Sequence, residues 1–157
     1  MNTALPPRAA LTDPAARAHP GSPHAAAVSA AERLCALRQQ VFGVSLASAA
    51  ERVSVVVYAL TTAHGDPADA LAEAQGFAVS RRWQVRGCFH DVTGDTEPRT
   101  RPGWDRVRQA LLEQRAHGVV MPTRTHLSTC DRLYRAELCW CRDQRVFLGL
   151  VHPETAL

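Results

Sequence analysis

From Arg52 to Thr62 the chain reads Arg-Val-Ser-Val-Val-Val-Tyr-Ala-Leu-Thr-Thr, and this run restricts the fold more than any other segment. Val53, Val55, Val56 and Val57 are β-branched and closely spaced, the pattern of a strand covered on both faces. Such a strand lies inside a parallel sheet with helices on either side, and the rest of the chain supplies those elements. Asp66 followed by Pro67 opens a helix that runs toward Arg82 through Leu71, Ala74 and Ala78. Trp83 to Asp91 reads as a second strand, with Val85, Gly87 and Phe89 alternating against polar neighbours. The stretch from Val92 to Thr100 contains Gly94 and Pro98 and reads as a loop.

Pro102 opens the next helix, with Trp104, Val107, Ala110 and Leu111 on one side and Gly118 as its stop. Val119 to Met121 forms a short third strand. Ser128 is placed to cap a last helix with the stripe Cys130, Tyr134, Leu138 and Cys141, and Arg145 to Val151 closes the sheet. Strands and helices alternate throughout, which predicts an α/β domain of three layers with a mainly parallel sheet of four to five strands. Ligand sites in such sheets lie at the carboxyl ends of the strands, where Thr61, Thr62, Asp91 and the residues after Met121 fall.

Residues 1–50 form an Ala- and Pro-rich extension, and residues 51–157 form the main domain. Up to about His24 the extension has few large apolar residues and several prolines, so disorder is expected there. A helix is predicted over 25–42, with Val28, Leu34, Leu37 and Val41 on one stripe and Gly43 as its end. That stripe suits packing on the domain better than service as a partner-binding segment.

The chain has 157 residues, of which 46% are apolar, suiting one domain with a modest core. All 18 basic residues are arginine; lysine and isoleucine are absent, and Asn2 is the sole asparagine. A GC-rich coding sequence explains that bias, so arginine content by itself says little about function. The formal charge of +3 permits nucleic-acid contact without requiring it. No apolar run reaches the roughly 18 residues of a membrane span, no secretory signal is evident, and no membrane association is expected. Five cysteines without disulfide spacing point to the cytoplasm. Cys139 and Cys141 would face opposite sides of a helix, and His126 with Cys130 supplies only two ligands, so no metal and no cofactor are expected.

The strand ending at Thr62, the Trp83–Asp91 strand, Arg101-Pro102-Gly103-Trp104 and Thr125-His126-Leu127-Ser128-Thr129 follow one another in an order that resembles the catalytic domain of serine recombinases, the resolvase and invertase family. The resemblance covers about residues 52–151 and implies a resolvase-like, flavodoxin-like domain. In that family the first strand ends in Tyr-x-Arg-Val-Ser, and its serine attacks DNA phosphate to form a covalent intermediate. Arginines around the serine neutralise the phosphate, because phosphoryl transfer depends on positioning and on cations aimed at developing charge.

The resemblance places Tyr58 on the family's tyrosine, Leu60 on its arginine and Thr62 on its nucleophile. Threonine keeps a hydroxyl, but β-branching crowds and stiffens it. An Asp-Arg-Leu-x-Arg pattern aligns with Thr125, His126, Leu127, Ser128 and Thr129, of which only the leucine survives. Arg101 matches a retained active-site arginine, and Arg124, one residue before the altered motif, stands where it could bind phosphate in partial compensation. Trp83, Phe89, Asp91 and Gly94 match positions whose role is chiefly structural, while Gln75 matches no family position cleanly. Active members continue into a dimerisation helix and a DNA-binding domain, whereas this chain is expected to stop short of both.

The resemblance thus implies a recombinase-type domain that has lost strand cleavage. Its implied partners are DNA, contacted weakly and without sequence preference, and a full-length recombinase or a second copy of itself. The residues leave two alternatives open: a divergent active recombinase using Thr62 and Arg101, or a flavodoxin-like module that binds proteins.

Overall fold

A computed structural model describes residues 23–47, 52–92 and 97–156. Among these residues four strands form one sheet, in the order β2-β1-β3-β4 with every neighbour parallel: β1 (Ser54–Thr61), β2 (Gln84–Val92), β3 (Gly118–Met121) and β4 (Phe147–Leu150). The helices are α1 (Pro23–Ala47), α2 (Ala68–Ser80), α3 (Pro102–Leu112) and α4 (Asp131–Gln144). The α/β architecture read from the sequence is therefore the one observed. The expected disorder before His24, the side chain of Val28 and the loop glycine Gly94 lie outside the described residues.

The valine run does what its chemistry requires. Val55 and Val57 enter one apolar cluster with Ala74 and Ala78 of α2, while Val56 and Tyr58 enter the other with Trp104 and Val107 of α3 and Tyr134 and Leu138 of α4. Helix α1 contributes Leu34 and Val41 to the second cluster and Phe42 and Leu46 to the first, so it runs beside β4 at the edge of the sheet. Strand β2 is less regular than its alternation suggests. The register slips between Val55 and Val56, leaving Arg86 as an extra residue, so Val85 packs on the α2 face and Phe89 on the other.

Several boundaries differ from those expected. Gly43 does not end α1, because Ser45 is buried and Leu46 packs beyond it, and one interior glycine costs only about 1 kcal/mol. Gly118 does not stop α3. It is the first residue of β3, and a Cβ there would meet the Phe147 ring at 2.5 Å. Ser128 lies before α4; its hydroxyl accepts the Cys130 amide at 3.1 Å, and Cys130 is exposed. The buried stripe of α4 is Tyr134, Glu137, Leu138 and Cys141. Asp66 does act at the start of α2, accepting the Ala68 amide at 2.8 Å.

Three helices end in the same way. Arg82, Gln114 and Arg145 take left-handed φ values of 59°, 55° and 58°. Behind them the amides of Trp83, Arg115 and Val146 donate to the carbonyls of Ala78, Ala110 and Cys141, each at 3.0 Å. This is the Schellman closure, usually built on glycine, with long polar residues in its place. The left-handed conformation costs a non-glycine residue about 1 kcal/mol.

Helix α1 is fixed through a buried polar group. Glu154, in a short turn after β4, accepts Arg38 Nε at 2.9 Å, Arg38 Nη2 at 3.2 Å and the Tyr134 hydroxyl at 2.7 Å. Burial alone would raise the Glu154 pKa, but the bonds from Arg38 and Tyr134 outweigh it and hold the carboxyl below its usual value.

Gln114→Gly is expected to stabilise the protein by about 0.5–1 kcal/mol, and Gly118→Ala to destabilise it by about 1–3 kcal/mol, both read from denaturant midpoints. Glu154→Gln leaves Arg38 buried without its counter-charge and should cost about 3 kcal/mol at neutral pH. Because the folded-state pKa of Glu154 is depressed, its contribution is present above the ordinary carboxylate range and is lost as pH falls through the folded value. The gap between wild type and Glu154→Gln, followed by urea melts, should therefore shrink as pH falls from 7 toward 3.

Candidate functional site

The strand order reverses direction at β1 and β3, so the crevice beyond their carboxyl ends is the place where a sheet of this kind takes ligands. Strand β1 delivers Leu60, Thr61 and Thr62 there, β2 delivers Asp91, and the segment after β3 delivers residues 122–130. The resemblance residues do converge on one end of the sheet. Their side chains are engaged in ways that the sequence did not reveal.

Asp91 is the centre of this region and is buried. Its Oδ1 accepts the Gly103 amide at 2.7 Å, and its Oδ2 accepts the Trp104 amide at 2.9 Å and the Tyr58 hydroxyl at 2.8 Å. The carboxylate thus caps the amino end of α3 from a neighbouring strand, where an anion is favoured by the unpaired amides and the helix dipole. Pro102 has no amide to satisfy, so Gly103 and Trp104 present the first donors of the helix. Gly103 is required by space: a Cβ would run into the His90 carbonyl and come within 2.7 Å of Asp91 Oδ2. Trp104 then packs edge-on against Tyr58, with ring centroids 5.1 Å apart, and its indole N–H donates to buried Glu137 at 3.2 Å. Burial first, and the Asp91 bond second, push the Tyr58 hydroxyl well above its usual pKa.

The two arginines singled out as cations are both buried, at 4% exposure for Arg101 and 8% for Arg124. Arg101 Nη1 donates to the Leu127 carbonyl at 2.9 Å and to the His126 carbonyl at 3.4 Å, and the guanidinium lies beside the Tyr58 hydroxyl. Arg124 Nη2 donates to the Thr129 carbonyl at 2.7 Å and to Asp131 Oδ1 at 2.6 Å, with its guanidinium 5.2 Å from the Tyr134 ring. Both side chains therefore hold the segment between β3 and α4 from within.

His126 is half-buried, and its Nδ1 accepts the Leu60 amide at 3.1 Å. That bond leaves the ring proton on Nε2, and burial pushes the imidazole below its ordinary pKa, so the ring is neutral at pH 7. Leu60 packs against the α3–α4 cluster. Thr125 and Thr129 are exposed, Thr125 sharing a 2.7 Å hydroxyl bond with Thr123. Thr62 is exposed; its carbonyl accepts the Gly65 amide at 2.9 Å in a tight turn. Among the described residues, no guanidinium hydrogen bond reaches the Thr62 hydroxyl.

Sequence reasoning missed Glu73, whose Oε1 lies 2.6 Å from His152 Nε2 across the same end of the sheet. It also missed Glu137, held by Arg99 Nε at 3.1 Å as well as by Trp104. The signal for Glu137 was present: it falls three residues after Tyr134 and one before Leu138, on the apolar side of α4. No comparable pattern marks Glu73.

No protein-family model matches the chain, and no curated protein matches it. Solved structures do. The C-terminal catalytic domain of ISC1926 TnpA, an IS607-like serine recombinase, superposes with a TM-score of 0.55 at 15% identity, over 64% of this chain and 72% of that one. The N-terminal catalytic domain of TP901-1 integrase superposes with a TM-score of 0.54 at 18% identity, over 62% of this chain and 77% of that one. The chain has the fold of serine recombinase catalytic domains.

Asp91→Asn keeps the shape but removes the charge and one of the two acceptor oxygens, leaving at least one of the three donors unpaired. It should cost about 2–3 kcal/mol in equilibrium denaturation, whereas Tyr58→Phe, which removes a single donor, should cost about 1–1.5 kcal/mol.

Proposed function

We propose that this chain is a serine-recombinase-type domain that has lost strand cleavage and acts as a non-catalytic partner of DNA or of a recombinase, including a second copy of itself. The observation that carries the reading is the inward orientation of Arg101 and Arg124. Each spends hydrogen bonds on backbone carbonyls of residues 126–129, and Arg124 has a carboxylate beside it as well. Leu60 brings no charge to the end of β1, and the His126 ring is neutral with one nitrogen committed to the Leu60 amide.

Transfer of a phosphoryl group from DNA needs cations aimed at the reacting phosphorus centre, and removal of one preorganised stabiliser typically lowers the rate about 10²–10³-fold. A β-branched hydroxyl at Thr62 without such cations has too little to work with. Glu73 beside His152 adds negative charge at the same end of the sheet, which opposes the approach of a phosphodiester.

The test is a covalent-adduct assay on supercoiled and linear duplex DNA, with denaturation to trap any protein joined to a cut strand. Neither the wild type nor Thr62→Ser should give an adduct or a nick above the protein-free control. An adduct formed by the wild type and abolished in Thr62→Ala would overturn the proposal in favour of a divergent active recombinase.

A further inference from the structure

The two faces of the sheet are covered unequally. On one face α3 and α4 close over the core together with one stripe of α1. On the other, α2 covers β1 and β3, while among the described residues β4 meets Phe42 and Leu46 of α1, the flank of α2 and the Trp83 ring, whose centroid lies 5.3 Å from that of Phe147. At Gly149 no side chain rises from β4 to fill the gap between the two helices; a Cβ there would lie 4.0 Å from the Phe77 ring. The result is a trough of about 320 Å³ with Gly149 and Val151 on its floor and Phe42 and Phe77 on its walls. That volume falls at the small end of the roughly 300–1,000 Å³ range of small-molecule sites.

Polar groups lie around this apolar body, and their charge has one sign. Arg81 stacks its guanidinium 3.7 Å above the Phe77 ring and 5.7 Å from the Trp83 ring. Stacking holds it at the trough while its N–H donors remain in the ring plane of the guanidinium, available to an oxyanion. Arg81 forms no ion pair among the described residues. At the opposite side Arg38 is already neutralised by Glu154, and Gln39 adds a side-chain amide. Among the described residues, no carboxylate lines the trough.

We propose that this trough is a binding site for a small amphipathic anion: a flat or branched apolar body seated between Phe42 and Phe77, with one carboxylate paired to Arg81. A single uncompensated cation selects a monoanion, and an open trough of this size holds one ring or a short branched chain. The site lies on the α2 face of β4, formed by residues that the proposed function does not use.

The experiment uses the full chain and two probes of nearly equal shape and opposite charge, phenylbutyrate and phenylbutylamine, followed by amide-resolved NMR. Phenylbutyrate should shift the amides of Phe77, Gly149 and Val151 saturably, and phenylbutylamine should bind at least about tenfold more weakly, a difference of about 1.4 kcal/mol. Arg81→Gln should weaken phenylbutyrate by a similar factor, while Arg82→Gln, one residue away and outside the trough, should leave it unchanged. Arg81 is exposed, so its substitution leaves the core intact, and the wild-type comparison of the two probes stands without any variant. Equal binding of the two probes, no saturable shift at those amides, or undiminished binding by Arg81→Gln would each overturn the assignment. None of these outcomes bears on DNA cleavage, so the site stands or falls separately from the proposed function.

Discussion

The carboxylate of Asp91 is the joint on which this end of the molecule turns. It lies at the carboxyl end of an edge strand, receives a hydroxyl from the central strand, and caps the first amides of the helix that crosses back toward β3. Without it, two amides and a phenol would be buried with nothing to accept them, a desolvation cost of about 1–3 kcal/mol for each group. The Arg-Pro-Gly-Trp segment follows from the same geometry. Proline comes where no donor is needed, glycine where a Cβ cannot fit, and tryptophan where its ring covers Tyr58 and its N–H reaches Glu137. Scaffold demands alone are enough to explain why these residues occur together.

The same reasoning extends to the arginines. The stretch between β3 and α4 has little regular structure, so its carbonyls lack ladder partners and need donors from elsewhere. A guanidinium supplies up to five N–H donors in a fixed fork, and Arg101 and Arg124 each bind carbonyls of this stretch. A charge committed to the interior is poorly placed to stabilise a second charge arriving from solvent. Under the proposed reading, these side chains keep a structural duty that does not depend on chemistry at Thr62.

How far the sequence disclosed this depends on how local each determinant is. The valines of β1, the Asp66–Pro67 start of α2 and the stripe of α3 are short-range signals, and each led to the element observed. Glycine misled twice, because the rule that it ends helices weighs less than packing: Gly43 sits within a helix anchored beyond it, and Gly118 makes room for a ring 29 positions away in the chain. The stripe expected for α4 began at Cys130, which lies exposed before the helix, and left out Glu137, which is buried because Arg99 and Trp104 satisfy its carboxylate. At the candidate site the order of the landmarks, and the end of the sheet on which they meet, were legible from the residues. The sequence could not say which way a guanidinium points, since Arg101 depends on carbonyls 25 and 26 residues away and Arg38 on a carboxylate 116 residues away.

The jog in β2 has a consequence for how the molecule behaves in company. Among the described residues, helix α1 runs along the β4 border, whereas β2 pairs on one side only, so its outer hydrogen-bonding rim is the one a further strand could meet. The surplus residue at that rim is Arg86, exposed and charged, and its insertion bends the backbone out of the even spacing a docking strand would need. A kink of one residue thereby discourages uncontrolled stacking into fibrils, and it does so at the rim that no described strand covers.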